Sequence, residues 1–196
     1  MFTGIIEDLG KIVDVEHQGT NINFQVKSNF TNELKVDQSV AHNGVCLTVT
    51  EINNEIYSVT AIEETLHKTN LKNWKKDSVV NLERSLTPSS RMDGHFVQGH
   101  VDCVTELIHI EKLEGSWFFT FSLPTEKSTL IVQKGSVCIN GVSLTVARKE
   151  KNTFTVAIIP YTYEHTSFNT LVTGDNVNIE FDILGKYIIQ FLNQRS

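Results

Sequence analysis

Short stretches in which apolar and polar residues alternate recur along the chain and predict many short β-strands. Examples are Asn23-Phe24-Gln25-Val26, Tyr57-Ser58-Val59-Thr60-Ala61 and Val79-Val80-Asn81-Leu82-Glu83, because a period of two places alternate side chains on opposite faces of a strand. Ser39 to Val49 predicts a β-hairpin, with its tight turn at Asn43-Gly44. Glu63 to Leu71 predicts a short helical turn with carboxylates near its start.

The hairpin sequence occurs twice, and the elements around it repeat in the same order. Asn43-Gly44-Val45-Cys46-Leu47-Thr48-Val49 returns 97 positions later (140 − 43) as Asn140-Gly141-Val142-Ser143-Leu144-Thr145-Val146, with serine for cysteine as the one change. Three further matches share that offset: Thr65 with Thr162, Thr69 with Thr166, and Val80-Asn81-Leu82-Glu83 with Val177-Asn178-Ile179-Glu180. Gly99-His100-Val101 has the same place in the second unit that Gly4-Ile5-Ile6 has in the first. A domain of about ninety residues is therefore duplicated, which predicts an all-β chain of two small closed barrels.

The boundaries of these units follow from the linker and from the C-terminal end. Thr87-Pro88-Ser89-Ser90-Arg91 is rich in turn residues and is interpreted as the linker, which gives barrels at residues 1–90 and 91–182. In residues 183–196 one helix face collects Leu184, Tyr187, Ile188, Phe191 and Leu192, and Ile189 adds apolar surface away from it. A helix that is apolar on two sides at a chain end predicts oligomerisation.

Composition and charge exclude several classes of function. The chain has 196 residues, 40% hydrophobic content and a formal net charge of −6, which disfavours nucleic acid and anionic membranes as partners. Met1 to Glu7 lacks the positive and apolar regions of a signal peptide, and no stretch approaches the length of a membrane span. Three widely spaced cysteines fit reduced thiols. We therefore expect a soluble, cytoplasmic protein.

His95, His100 and Cys103 are close enough in sequence to raise a metal site. Their His-x4-His-x2-Cys spacing matches no common zinc pattern, so separate polar contacts are the preferred interpretation and no metal is expected.

Three residues are candidates for chemistry, each with a structural alternative. Cys46 and Ser143 exchange a thiol and a hydroxyl within the repeated turn, where Cys46 is either a nucleophile or a polar contact, or else a small buried apolar residue. His100 follows Gly99 and is a candidate general base or a strand hydrogen-bonding group. Asp182 lies where the last strand meets the terminal helix, and from its position it is interpreted as the N-cap of that helix. His42, before the turn, is interpreted as structural.

Taken together, these motifs resemble the riboflavin synthase family (alpha chain) from Met1 to at least Asp182. The residues that carry the resemblance are Met1-Phe2-Thr3-Gly4-Ile5-Ile6-Glu7, Ala41-His42 with the first turn motif, Glu64-Thr65-Leu66, Thr69-Asn70-Leu71, Gly99-His100, the second turn motif, and Val177 to Asp182. The resemblance implies tandem Greek-key barrels of the flavin-reductase/riboflavin-synthase type in a homotrimer. It implies that two molecules of 6,7-dimethyl-8-ribityllumazine react by four-carbon transfer, giving riboflavin and 5-amino-6-(ribitylamino)uracil with no metal or redox cofactor. Some relatives lie inside a lumazine synthase capsid, so that protein is a further candidate partner.

Carried over residue by residue, the resemblance implies two lumazine sites and a catalytic role for Cys46, His100, Ser143 and Asp182. One site would be lined by Gly4, Ile5, Ile6, Ser143, Leu144, Thr145, Ala157, Ile158, Ile159, Pro160, Tyr161 and Thr162. The other would be lined by Cys46, Leu47, Thr48, Thr60, Ala61, Ile62, Glu63, Glu64, Thr65, Gly99, His100 and Val101, with Lys134 reaching in from a neighbouring subunit. Which site holds the donor and which the acceptor stays open.

Two departures and two alternative functions accompany this interpretation. Many family members have aspartate at the position of Asn140 and serine at that of Gln98, and the loss of the carboxylate weakens any mechanism that would use it. A non-catalytic lumazine or flavin chromophore protein is the main alternative, although the polar groups of both turn motifs are retained. A flavin reductase is disfavoured because no Gly-x-Gly-x-x-Gly follows a strand and no nicotinamide domain would fit.

Overall fold

The computed structural model describes residues 1–194, in which twelve β-strands precede a C-terminal helix. The strands are β1 (Asp8–Gln18), β2 (Asn21–Lys27), β3 (Ser39–His42), β4 (Val45–Asn53), β5 (Ile56–Ala61), β6 (Val79–Arg84), β7 (Cys103–Leu113), β8 (Ser116–Ser122), β9 (Ser136–Ile139), β10 (Val142–Lys149), β11 (Thr153–Ile158) and β12 (Asn176–Phe181). The α-helices are α1 (Glu63–Lys68), α2 (Pro160–His165) and α3 (Ile183–Asn193). Short 3-10 helices lie at Thr31–Glu33, Asn70–Asn73, Thr125–Leu130 and Ser167–Asn169.

Each half forms a closed antiparallel barrel, which confirms the predicted fold class. The first barrel has the strand order β1-β2-β5-β4-β3-β6 and closes where β6 pairs with β1. The second has the equivalent order β7-β8-β11-β10-β9-β12 and closes where β12 pairs with β7. Pairing of β2 with β5 and of β3 with β6 joins strands that are not consecutive in sequence, and this connectivity makes each barrel a Greek key.

Irregularities in strand pairing occur at equivalent places in the two barrels. The register shifts between Ile12 and Asp14, Val49 and Glu51, Leu107 and His109, and Val146 and Arg148. An extra residue on one strand bends it and increases its twist. These bulges therefore help six short strands to curve into a closed barrel.

Aromatic side chains fill both barrels. Phe24 and Tyr57 are fully buried in the first barrel, and Phe119 and Phe121 in the second. His42 is buried beside Tyr57, with its Nε2 atom 2.7 Å from the tyrosine hydroxyl, and burial lowers the pKa of His42 to about 4. The neutral imidazole of His42 is part of the barrel structure, as the sequence predicted.

Asparagine side chains join the two barrels around an approximate two-fold axis. The Asn81 side-chain amide donates to the Asn140 carbonyl at 2.8 Å, and the Asn178 amide donates to the Asn43 carbonyl at 2.9 Å. The side-chain oxygens of Asn81 and Asn178 each accept a backbone N–H from the 3-10 helix of the opposite barrel, at Ser167 and Asn70. The two asparagines of the repeated Val-Asn-Leu/Ile-Glu sequence therefore hold the barrels together.

The two Asn-Gly turns meet back to back on the same axis. Asn43 and Gly44 have φ of 45° and 77°, and Asn140 and Gly141 have 45° and 83°, as expected of a tight hairpin turn with two left-handed residues. A Cβ atom added to Gly44 would lie 2.8 Å from the Gly141 nitrogen. Glycine is needed at these turns both for the backbone conformation and for the close contact between barrels.

Helix α3 extends the second barrel and carries apolar residues outward. Asp182 accepts the Leu184 N–H at 3.0 Å and caps the helix, and Lys186 pairs with Asp102 at 2.5 Å. Leu184, Tyr187, Ile188 and Leu192 are each more than half exposed. Residues 195–196 of the predicted oligomerisation segment lie outside the described residues. Within residues 1–194, no helix combines the length and apolar character that crossing a membrane requires.

Candidate functional site

Two equivalent segments cross from one barrel to the other. The first strap is Thr3-Gly4-Ile5-Ile6, which precedes β1, and the second strap is Gln98-Gly99-His100-Val101, which precedes β7. Ser143 of the second barrel donates its N–H to the Gly4 carbonyl at 2.7 Å, and Cys46 of the first barrel donates its N–H to the Gly99 carbonyl at 2.9 Å. Each strap therefore lies against the turn motif of the opposite barrel.

The second strap and the first turn motif enclose a cavity, named here the Cys46 cavity. Its volume is about 310 Å³, which is within the usual range for a small-molecule site. The lining residues are Val45, Cys46, Glu64, Thr65, Lys68, Thr69, Gly99, His100 and Val101. Cys46 is partly exposed there. The backbone of Gly99 approaches Cys46 closely, because an added Cβ would lie 2.6 Å from the Cys46 Cβ.

The first strap and the second turn motif enclose the equivalent Ser143 cavity. Its volume is about 130 Å³, and its lining residues are Gly4, Ile5, Ile6, Val142, Ser143, Tyr161, Thr162, His165 and Thr166. These residues correspond one by one to those of the Cys46 cavity through the internal repeat. Neither Cys46 nor Ser143 is packed away in a barrel core, so each side chain faces a cavity, and the Ser143 cavity is the smaller of the two.

The rims of the two cavities differ in chemistry. In the Cys46 cavity, Glu64 and Lys68 form an ion pair at 2.7 Å. Tyr161 and His165 occupy the equivalent positions of the Ser143 cavity and stack with ring centroids 4.1 Å apart. The two cavities are built from equivalent backbone segments, but the rim of the Cys46 cavity carries charged groups and the rim of the Ser143 cavity carries aromatic rings.

His95 forms a close polar pair with Ser143. Its Nδ1 atom lies 2.7 Å from the Ser143 Oγ. Burial lowers the pKa of His95, and the negative charge of Asp182 partly opposes that effect. A neutral imidazole in contact with a hydroxyl can take its proton, so this pair is chemically competent as a base or an activated nucleophile.

His95 and His100 have different surroundings in the structure. His95 contacts Ser143, whereas His100 lines the Cys46 cavity and donates its N–H to Glu180 at 2.7 Å. Cys103 begins β7, and burial raises its pKa to about 11.

The other residues carried over from the family do not line either cavity. Leu47, Ala61 and Ile158 are buried in the barrel cores, and Leu144 packs partly against the second core. Thr48 and Thr145 are on β4 and β10, Thr60 and Ala157 are on β5 and β11, and Ile62, Glu63, Ile159 and Pro160 are at the starts of α1 and α2. Lys134 is exposed in the turn before β9, with φ of 68°.

Comparison with known proteins assigns the family. A model of the lumazine binding domain matches residues 3–85 and again residues 98–182. A riboflavin synthase from Bacillus amyloliquefaciens is 38% identical over 195 residues, which cover 99% of this chain and 91% of that protein. A riboflavin synthase from Saccharomyces cerevisiae is 37% identical over 201 residues, covering 96% of this chain and 84% of the yeast protein. The chain belongs to the riboflavin synthase family. It is an enzyme of that kind, with two lumazine-binding repeats.

Solved structures show the same fold at lower sequence similarity. LumP complexed with riboflavin superimposes with a TM-score of 0.86 at 20% identity, covering 92% of this chain and 99% of LumP. LumP complexed with 6,7-dimethyl-8-(1'-D-ribityl) lumazine gives a TM-score of 0.83, also at 20% identity. The tandem barrels of this riboflavin synthase family member are therefore shared with LumP, whose sequence is much more distant than those of the riboflavin synthases.

Asn140, a departure from the family pattern, lies outside both cavities. Its side-chain oxygen accepts the Asn178 N–H at 2.8 Å, as Asn43 does for Asn81 in the other half. Within this riboflavin synthase family member, the Asn140 side chain therefore holds the turn against β12 of its own barrel, while its backbone carbonyl accepts the Asn81 amide of the other barrel. Gln98, the other departure, contributes its backbone N–H to Glu180 at 2.6 Å, a contact that any residue except proline can make.

The sequence does not predict five residues that contact Ser143 or line the cavities. It offers His95 only as a candidate metal ligand, because no linear motif indicates its contact with Ser143, 48 residues away. Lys68, Thr69, His165 and Thr166 line the cavities as equivalent pairs. The repeat did contain a signal for these four, since they share its offset of 97 (166 − 69) and fall on one side of the helical turns.

Proposed function

We propose that this chain converts two molecules of 6,7-dimethyl-8-ribityllumazine into riboflavin and 5-amino-6-(ribitylamino)uracil by transfer of a four-carbon unit, the last step of riboflavin biosynthesis. The observation that carries the proposal is the pair of equivalent cavities, each made from the turn motif of one barrel and the strap of the other. A reaction between two identical molecules needs two similar binding sites. The products contain all the atoms of two substrates, so the overall reaction needs no oxidant or reductant.

Positioning supplies much of the expected rate. Holding two reactants in contact geometry can contribute roughly 7–11 kcal/mol of the barrier. We propose that the Cys46 cavity of one subunit faces the Ser143 cavity of another, so that the two heterocycles meet across a subunit boundary. The exposed apolar residues of α3 support self-association, and we propose the homotrimer that the family resemblance implies as the assembly that brings the cavities together.

The proposed roles of the polar groups follow from their positions. The C7 methyl group of the lumazine is acidic, and the neutral His95 can take a proton through the Ser143 hydroxyl. In the other cavity, Cys46 either attacks C7 or positions a water, and His100 is a second candidate base. Asp182 caps α3 and its charge acts on His95, so its capping and catalytic roles are compatible.

The remaining site residues are proposed as binding groups. Glu64, Thr65 and Thr162 are suited to the ribityl hydroxyls, and the straps and strand ends present backbone groups to the pyrimidinedione edge. We propose that Lys134 reaches a cavity of a neighbouring subunit, since it lines neither cavity of its own chain. The three free thiols fit a cytoplasmic protein, and lumazine synthase is a candidate partner.

Incubation of the purified chain with 6,7-dimethyl-8-ribityllumazine tests the reaction, with Cys46→Ala, Ser143→Ala and His100→Ala testing the site. The wild-type chain is expected to form riboflavin and the aminouracil in equal amounts without an added cofactor. Each variant is expected to lose about 100-fold in single-turnover rate, because a positioned proton-transfer or nucleophilic group contributes factors of this size. Riboflavin absorbance measures the product.

Cys103→Ala and His17→Ala serve as matched controls, because both positions lie outside the cavities. Both controls should keep the wild-type rate. If all three site variants also keep it, the residue assignments are wrong, although the family is not. A stable bound lumazine that is never converted would identify a chromophore protein, the alternative that the LumP fold allows.

The double substitution Leu184→Glu and Ile188→Glu on α3 is expected to dissociate the proposed trimer. Both side chains are more than half exposed in the single chain, and two carboxylates in an apolar interface would be desolvated without partners. Light scattering coupled to size exclusion should show a monomer that still binds riboflavin but does not form it from lumazine. Gln190→Glu, at an exposed polar position of the same helix, is the control and should remain trimeric. A fully active monomer would refute a site shared between subunits.

A further inference from the structure

The glutamate of the repeated Val-Asn-Leu/Ile-Glu sequence has no part in the chemistry described so far. Glu83 is on β6 and Glu180 is at the equivalent position of β12. They are 4% and 2% exposed, so both carboxyl groups have left water almost completely. A buried carboxylate is tolerated when hydrogen-bond donors surround it.

The donors to both glutamates come from the straps. Glu83 accepts the Thr3 N–H at 2.6 Å and the Thr3 hydroxyl at 2.9 Å through Oε1, and the Gly4 N–H at 2.9 Å through Oε2. Glu180 accepts the Gln98 N–H at 2.6 Å and the His100 N–H at 2.7 Å through its two oxygens. In both cases one carboxylate fixes two backbone amides of a strap, which sets the position and orientation of the glycine.

The pKa shifts of Glu83 and Glu180 are consistent with these hydrogen bonds to the straps. Burial raises the pKa of both carboxyl groups, and the N–H groups of the straps act in the opposite direction by stabilising the charged form. Because such coupling is reciprocal, the charged carboxylate also stabilises its strap in the position seen in the structure. Glu7 near Glu83 and Lys186 near Glu180 act on the same groups more weakly.

The effect of each glutamate falls on the opposite barrel. Glu83 belongs to the first barrel, but the strap that it holds contacts Ser143 through Gly4 and lines the Ser143 cavity. Glu180 belongs to the second barrel, but its strap contacts Cys46 through Gly99 and lines the Cys46 cavity. A carboxylate in one barrel therefore fixes a cavity wall of the other.

We propose that Glu83 and Glu180 are positioning residues that act across the barrel interface, Glu83 on the Ser143 cavity and Glu180 on the Cys46 cavity. The proposal rests on the proposed function in one respect, namely that both cavities bind the ribitylated heterocycle. It predicts that substitution of Glu83 weakens binding in the Ser143 cavity and that substitution of Glu180 weakens binding in the Cys46 cavity. A residue that only stabilised its own barrel would have the reverse effect.

The test uses Glu180→Gln and Glu83→Gln in the full-length protein with riboflavin as the probe. Fluorescence titration counts the binding sites per chain, and protection of Cys46 from iodoacetamide, measured by peptide mass spectrometry, reports occupancy of the Cys46 cavity. Glutamine keeps the size of the side chain but loses the charge and turns an N–H donor toward one strap amide. Loss of a hydrogen bond to a charged group is expected to weaken binding about tenfold or more.

For Glu180→Gln, half-protection of Cys46 should need at least about tenfold more riboflavin, while the second site keeps its affinity. For Glu83→Gln, Cys46 protection should be unchanged and the other site should weaken. Glu51→Gln on β4 and Glu106→Gln on β7 are matched controls at exposed strand positions and should leave both sites unchanged. Thr3→Val removes the hydroxyl donor to Glu83 and keeps the volume, so a smaller loss at the Ser143 cavity supports the proposal even if Glu83→Gln does not fold.

Two results would overturn the assignment. The first is wild-type affinity for riboflavin at both sites in both glutamine variants. The second is weaker binding only at the cavity whose turn motif belongs to the substituted barrel, which is the Cys46 cavity for Glu83→Gln and the Ser143 cavity for Glu180→Gln. A wild-type chain that binds no riboflavin and forms none from lumazine would instead refute the proposed function, and this inference with it.

Discussion

Replacing Gly99 with alanine is expected to abolish riboflavin formation, with a loss of at least about 100-fold in kcat/KM. Gly99 has φ of 80°, and an added Cβ would lie 2.6 Å from the Cys46 Cβ and 2.9 Å from the Cys46 nitrogen. That nitrogen donates to the Gly99 carbonyl, so the second strap would have to move away from Cys46. The wall of the Cys46 cavity would be displaced by a distance comparable to a bond length. Steady-state assays with lumazine measure the effect.

Gly115→Ala is the matched control for this prediction. Gly115 has φ of 84°, but an added Cβ would meet nothing within 4 Å. Gly115 shares the left-handed backbone of Gly99 but makes no equivalent contact. The substitution should therefore cost about 1–2 kcal/mol of stability and leave kcat/KM unchanged. Equal losses of activity in the two variants would show that backbone strain, and not the strap contact, is responsible.

Replacing Asn178 with alanine is expected to lower the free energy of unfolding by about 2–5 kcal/mol. The substitution leaves the Asn43 carbonyl and the Asn70 N–H without the partners they have at 2.9 Å and 2.8 Å. Each buried polar group left unpaired costs about 1–3 kcal/mol. Because these bonds join the barrels, we also expect urea unfolding to separate into two transitions, observed by circular dichroism and by tryptophan fluorescence.

Asn81→Ala should behave similarly, since Asn81 makes the equivalent bonds to Asn140 and Ser167. Asn32→Ala, at an exposed position of the 3-10 helix Thr31–Glu33, should change stability by less than about 0.5 kcal/mol. A single transition in Asn178→Ala with wild-type stability would mean that the asparagine contacts do not contribute to barrel association.

The barrels were predictable from the sequence because their signals are local. Alternation of apolar residues marks the strands, and the Asn-Gly dipeptide fixes the hairpin between β3 and β4, and again between β9 and β10. The repeat then identifies the second barrel as a copy of the first. Alternation within a strand does not specify which strands pair with each other. The prediction of closed barrels therefore rests on the number and spacing of the strands and on the family resemblance.

The cavities were only partly predictable, because their walls come from distant parts of the chain. Gly4 and Ser143 are in contact across 139 positions (143 − 4), and no periodicity relates them. The family resemblance supplied the straps and the turn motifs as site residues. It did not supply the His95 pair with Ser143, nor the difference between the Glu64–Lys68 and Tyr161–His165 rims, which requires knowing the direction of each side chain.

The exchange of straps has an evolutionary consequence. In a protein with a single barrel, the leading segment would cover the turn of a second copy, so such an ancestor would be complete only as a symmetric pair. Joining two genes in tandem turned that pair into one polypeptide while keeping its geometry. Once each half had its own coding sequence within one gene, a mutation in one half no longer changed the other. The entrance of one cavity could therefore become ionic while the entrance of the other became aromatic.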